Sequence, residues 1–109
     1  MARTCICAPY TADYKTVNGY VERFLIDEGF SRKDYHGEQV WKKGTGLVTA
    51  MQYVKIEYTE NAAVIYAWIQ AGIGNFGGKE LDLTGITGAV PKRNLLKRTQ
   101  KLESIIKSI

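Results

Sequence analysis

The stretch Leu47-Val48-Thr49-Ala50-Met51-Gln52-Tyr53-Val54-Lys55-Ile56-Glu57-Tyr58, followed by Thr59-Glu60-Asn61 and then Ala62-Ala63-Val64-Ile65-Tyr66-Ala67-Trp68-Ile69-Gln70-Ala71, decides the fold. Both apolar runs are rich in β-branched and aromatic residues, and three turn formers separate them. They therefore read as two long strands joined by a hairpin turn. Large side chains fall on both parities of each strand, so the sheet has one buried face and a second, partly apolar one. Met51 and Tyr53, with either Ile65, Ala67 and Ile69 or Tyr66 and Trp68 across from them, are expected on that second face.

Working outward, residues 31–36 and 39–43 read as two further strands, broken at His36-Gly37 and at Gly44-Thr45-Gly46. With 47–58 and 62–71 they make four strands whose short connections favour an antiparallel meander. Residues 2–9 read as a first strand ended by Pro9, because proline removes a ladder donor. A helix follows, capped by Thr11 or Asp13, with Tyr14, Val17, Val21, Phe24 and Leu25 at three- and four-residue spacing. Gly29 should close it in the left-handed conformation, with Phe30 folding back on Leu25.

Residues 72–91 differ in kind. They hold six glycines and read as a surface loop with a short strand at Glu80 to Leu83. Pro91 suits a helix first turn, and Asn94 to Ile109 form an amphipathic helix whose apolar stripe is Leu95, Thr99, Leu102, Ile106 and Ile109. The order is β-α-β-β-β-β-loop-α, and residues 1–109 form one α+β domain. Its antiparallel sheet carries both helices on one face. This order resembles the TATA-binding-protein-like and helix-grip classes, a likeness of element order that transfers no function.

With 109 residues, 45% of them hydrophobic and 24% charged, the chain has the composition of an ordinary globular protein. The net charge of +4 is concentrated in residues 92–109, where six basic side chains face Glu103 alone. Arg93, Lys97, Lys101 and Lys107 lie opposite the apolar stripe of the last helix, as a solvated helix face does, and this argues against nucleic-acid binding. Cys5 and Cys7, spaced two apart, read as strand residues with both sulfurs on one face, acting as small buried hydrophobes. Two thiols alone do not make a zinc site, and no metal site is assigned. No apolar run of 18 residues and no signal-peptide pattern occur, so a soluble cytoplasmic protein with no membrane association is expected.

The tempting motifs fare poorly. Gly72-Ile73-Gly74-Asn75-Phe76-Gly77 matches a dinucleotide-binding fingerprint literally, but no helical period and no second parallel strand follow it, so no cofactor is assigned. His36, the sole histidine, fills a two-residue hairpin turn rather than a cleft. No cysteine or serine has a base that spacing would place beside it. Trp41-Lys42-Lys43 carries the elements of a stacking platform, although alternation lets only Trp41 and Lys43 share a face. No catalytic residue is assigned and the chain reads as a non-enzyme.

Four blocks taken together, Val40-Trp41-Lys42-Lys43-Gly44, Thr49-Ala50 with Gln52-Tyr53-Val54-Lys55, Ala67-Trp68-Ile69, and Gly88-Ala89-Val90-Pro91-Lys92, resemble an uncharacterised family of small proteins from Gram-positive bacteria. The resemblance spans about residues 14 to 108 and implies the fold and a bacterial cytosolic origin, with no activity attached. The chain departs from that pattern at Met51, where proline is more usual, and in 72–83.

These readings combine into one expectation: a binding or interaction domain that self-associates as a homodimer through its open sheet face. The surface residues named for this are Trp41, Lys43, Met51, Tyr53, Tyr66, Trp68 and Phe76. The alternative is a small-molecule or lipid binder with an apolar cavity between the sheet and the C-terminal helix.

Overall fold

The structure, a computed structural model, describes residues 3–44, 51–71, 79–81 and 89–109. The elements are β1 (Thr4–Pro9), α1 (Tyr14–Asp27), β2 (Ser31–Tyr35), β3 (Glu38–Lys43), β4 (Met51–Tyr58), β5 (Ala62–Ala71), β6 (Lys79–Leu81) and α2 (Ala89–Lys107). Five strands lie in the order β1-β5-β4-β3-β2 with every neighbouring pair antiparallel. The ten-residue β5 is longer than its partner β1, which covers 62–67, and β6 pairs with the remaining 69–71. The meander expected from residue 31 to residue 71 is therefore the body of the sheet. The short strand is described over Lys79–Leu81, and residues 82 and 83 of the expected strand lie outside the described residues. The break at 45–46, residues 47–50 of the third meander strand, most of the glycine-rich stretch and Phe76 lie outside the described residues.

Local chemistry sets the ends of α1. The Asp13 carboxylate accepts a hydrogen bond from the Thr16 backbone N–H at 2.8 Å, and hydrogen bonding from Thr16, its side chain first and this N–H second, holds the carboxylate's pKa below the ordinary value. At the other end Gly29 has φ +93°, the Gly29 N–H donates to the Ile26 carbonyl, and the Phe30 N–H donates to the Leu25 carbonyl at 2.9 Å. This pair of bonds is the Schellman closure, and it turns the chain directly into β2. His36 and Gly37 follow at φ +52° and +88°, the two positive values that a tight hairpin turn with the twist of the strands requires.

Parity assigns the faces. Ile65, Ala67 and Ile69 of β5 and Val54 of β4 bury against Val17, Val21 and Leu25 of α1 and Leu95, Leu102 and Ile106 of α2, so both helices share one face. Thr99 joins this core because its hydroxyl donates to the Leu96 carbonyl at 2.8 Å, which satisfies a polar atom that burial would otherwise penalise. The basic residues Arg93, Lys97, Lys101 and Lys107 are exposed, on the solvated helix face the pattern predicts. The helix α2 starts at Ala89, ahead of the expected Asn94, and Pro91 sits within its first turn where no intrahelical donor is needed.

Coverage of the sheet is uneven. The helix α2 packs on β5 and β1, and α1 packs beside α2. Two helices ~10 Å apart span about 20 Å, whereas five strands spaced ~4.8 Å apart, with their side chains, extend further. The strand β2 overhangs, and Ser31, Arg32, Lys33 and Asp34 are all exposed. This overhang creates the cleft described below.

Candidate functional site

Around Trp68 the outer sheet face is closed by its own side chains. Trp68 is fully buried there, stacked on Tyr53 with ring centroids 5.3 Å apart and planes 8° from parallel. Tyr35 of β2 leans on both rings, at 4.8 Å from Tyr53 and 5.6 Å from Trp68. The Arg3 guanidinium lies over the Trp68 ring at 3.8 Å from its centroid and forks onto Glu38 at 2.8 and 3.1 Å. Lys55 donates to the same carboxylate at 2.7 Å. Two cations on one carboxylate hold Glu38 down at about 2, Arg3 being the stronger influence.

The Tyr53 hydroxyl donates towards Gln70 Oε1 at 3.2 Å and Met51 Sδ at 3.6 Å, while burial pushes its pKa up. Trp68 Nε1 is buried without a hydrogen-bond partner, the one such side-chain atom among the described residues.

The expectation of an open apolar outer face is corrected at this point. Met51, Tyr53 and Trp68 do point away from the helices, and Tyr66 shares their face, but the first three are buried within the single chain. Sequence parity put Met51 and Tyr53 on this face, left open which parity of β5 joins them, and missed Arg3, Tyr35 and Val40, which come over them from the residue before β1, β2 and β3. Trp41 and Lys43 lie on the opposite, helix-facing side, as the register Trp41↔Val54 and Lys43↔Gln52 requires. The described members of the named surface set therefore belong to two faces and form no single patch. Lys43 is further committed to structure, because its Nζ donates to the Glu28 carbonyl at 2.6 Å and so caps the C-terminal end of α1.

Cys5 and Cys7 need the same correction. They share a face, as expected, but both are exposed. In β1 the alternate residues Ile6 and Ala8 take the core positions, so the two thiols project outward opposite Tyr66 and Val64.

On the helix side, the overhang of β2 leaves a cleft of about 450 Å³ between α1 and strands β2, β3 and β4. Trp41, half-buried, and Ile56 form its floor, Tyr14 and Tyr58 close one end, and Asn18 and Glu22 of α1 form its wall. These groups are linked in sequence. The Tyr58 hydroxyl donates to Asn18 Oδ1 at 3.0 Å, Asn18 Nδ2 donates to Glu22 Oε1 at 3.1 Å, and the Arg32 guanidinium donates to the same Glu22 oxygen.

Arg32, cross-strand from Trp41, also lies over the indole at 5.1 Å from the ring centroid. Tyr14 and Tyr58 meet edge to face at 4.8 Å. Burial against these neighbours pushes the Tyr58 phenol far above its ordinary value, so it remains a neutral donor at any physiological pH.

Of these residues, Trp41 alone was singled out from sequence. A usable signal was present in Ser31-Arg32-Lys33-Asp34, polar on both parities, which is the mark of an edge strand that no helix covers. A tryptophan cross-strand from such a segment borders open space.

Among the described residues no group of three or more His, Cys, Asp or Glu side chains is placed to hold a metal ion. Among them also no helix is long and apolar enough to cross a membrane. The gap ringed by Phe24, Leu25, Phe30, Val54, Arg98, Thr99 and Leu102, under α2, has no room for a water molecule. No family model, curated protein or solved structure matches this chain.

Proposed function

We propose that this domain is a non-enzymatic binding module whose contact site is the cleft between α1 and strands β2, β3 and β4. The observation that carries the reading is the half-buried Trp41 at the base of a cleft of about 450 Å³, in the size range of small-ligand sites. The Tyr58, Asn18, Glu22 and Arg32 side chains satisfy one another, which fixes the wall in place before any ligand arrives. Pre-formed walls reduce the ordering cost of association.

Binding is favoured over catalysis because the carboxylate in the cleft, Glu22, is already shared between Asn18 and Arg32. His36 lies in the β2–β3 turn and is not among the cleft-lining residues. Self-association through the outer face has lost its motive, since Met51, Tyr53 and Trp68 find their cover within one chain.

The experiment is a small-molecule screen read by two-dimensional amide NMR, with the two indole N–H signals assigned by Trp41→Phe. Ligands are expected to move the Trp41 indole and Gln39 side-chain signals and to leave the buried Trp68 indole in place. Binders that all act elsewhere, or a screen in which no compound moves Trp41, would refute the assignment.

A further inference from the structure

The cleft already holds one organic cation, and it belongs to the protein. Arg32 extends from the edge strand β2, makes an ion pair with Glu22 of α1, and lies over the face of Trp41 at 5.1 Å from the centroid. Its side chain is nonetheless 61% exposed. Around that guanidinium stand the components that bind such groups in general: a carboxylate for charge and several aromatic rings whose faces carry negative potential. Tyr14, Tyr58 and Trp41 line the same cleft as Glu22, and the cleft keeps its volume of about 450 Å³ with Arg32 in place.

We infer that the cleft recognises an organic cation, a guanidinium or a quaternary ammonium group, with Arg32 as an internal occupant that the ligand displaces or stacks beside. This rests on the binding role proposed for the cleft and adds the ligand chemistry. A structural role for the Arg32–Glu22 pair alone would have little energetic motive, because a solvent-exposed pair of this kind contributes little to stability. The weakness of that pair also makes displacement feasible, since the incoming cation recovers the same carboxylate and the same ring.

Selectivity follows from the wall. Glu22 Oε1 accepts from Asn18, whose own Oδ1 is taken by the Tyr58 hydroxyl, so the carboxylate is held in one orientation. Tyr58 stays protonated and therefore neutral, and among the described residues lining the cleft Glu22 is the only acidic one. Removing Arg32 would leave a site with one uncompensated negative charge facing aromatic rings. Anions such as phosphates are disfavoured there.

The test uses the intact chain and four probes: choline, its neutral isostere 3,3-dimethyl-1-butanol, N-acetyl-arginine amide, and a blocked Gly-Arg-Gly tripeptide. Binding is followed at the Trp41 indole N–H by NMR. Choline and the arginine probes are expected to shift Trp41, and the neutral isostere is not. Arg32→Ala, which removes the competitor, should tighten cation binding about tenfold, and Glu22→Gln should weaken it by at least a similar factor. Tighter binding of the tripeptide than of N-acetyl-arginine amide would identify a peptide side chain as the source, and equal binding a free small molecule; both support the cation chemistry.

If 3,3-dimethyl-1-butanol shifts Trp41 as strongly as choline, or neutral compounds bind there while cations do not, the cation assignment falls and the binding cleft stands. If no compound of any charge moves Trp41, even in Arg32→Ala with its folded spectrum intact, both readings fall together.

Discussion

Replacing Glu38 with glutamine removes the charge that organises the outer face while keeping the size of the side chain. In the native chain that carboxylate receives the Arg3 fork and the Lys55 ammonium, and Arg3 is only 12% exposed where it covers Trp68. Without the Glu38 charge the guanidinium loses the carboxylate it forks onto beside the aromatic cluster. The displacement of the Glu38 pKa from 4.5 to about 2, taken whole, corresponds to roughly 3 kcal/mol. The side chain is 26% exposed, so screening by solvent reduces this to ~1–2 kcal/mol.

The sign with pH is fixed by the direction of that displacement. A carboxylate held below its unfolded value contributes its full stabilisation above about pH 4.5, and loses it as pH falls towards about 2. Urea denaturation of the wild type and Glu38→Gln, followed by tryptophan fluorescence, should show a gap of ~1–2 kcal/mol at pH 7. The gap should narrow by more than half between pH 5 and pH 3, as the unfolded chain takes up its proton first. A difference that is independent of pH, or one below ~0.5 kcal/mol at low salt, would refute the claim that this carboxylate anchors the face.

Tyr53→Ser, designed as a surface change if the outer face were open, should instead cost ~3 kcal/mol or more, because it empties a buried aromatic position against Trp68. Light scattering of the folded fraction should give an unchanged native mass, and a variant of wild-type stability would contradict the packing described. Gly29→Ala forces a Cβ onto a backbone at φ +93°, while the flexible end of Lys43, 3.4 Å from the new Cβ, only touches it, so thermal denaturation should show a loss of ~1 kcal/mol from the backbone strain. Cys5 and Cys7 should both react with a chromogenic disulfide reagent in the native state at close to the rate seen in urea. Protection of either thiol would mean that the outward face of β1 is covered.

What the sequence displays and what it hides divide along a physical line. Elements fixed by local rules were legible: the Asp13 cap, the Gly29–Phe30 closure, the His36-Gly37 turn and the apolar stripe of α2 all follow from side-chain chemistry within a few residues. The parity of the long strands was legible as a pattern but not in its direction, since both faces of β4 and β5 carry large side chains. The direction depends on which parity of β5 has the smaller residues that let a helix approach. Ala63 and Ala67 lie on the helix side, whereas Tyr66 and Trp68 stand outside. Charge is what the pattern concealed. Arg3 stands 35 residues from Glu38, and nothing local marks an arginine as the cover of a tryptophan.

The two faces solve one problem in opposite ways, and this is why the cleft is the better functional candidate. On the outer face the aromatic cluster is met by Arg3, whose charge is answered by Glu38, and the assembly closes around a fully buried Trp68. In the cleft the same three components recur as Arg32, Glu22 and Trp41, but the guanidinium is mostly exposed and Trp41 is only half-buried. One cation–π ion pair is finished and the other is left open. The difference arises from the sheet being wider than two helices can cover. Arg3 sits above β5, flanked by strands on both sides, while Arg32 stands on an edge strand with solvent beyond it. A finished cluster has no free valence for a partner. An open one, built from the same groups with unfilled space beside it, is where an internal guanidinium can give way to another under the binding role proposed for the cleft.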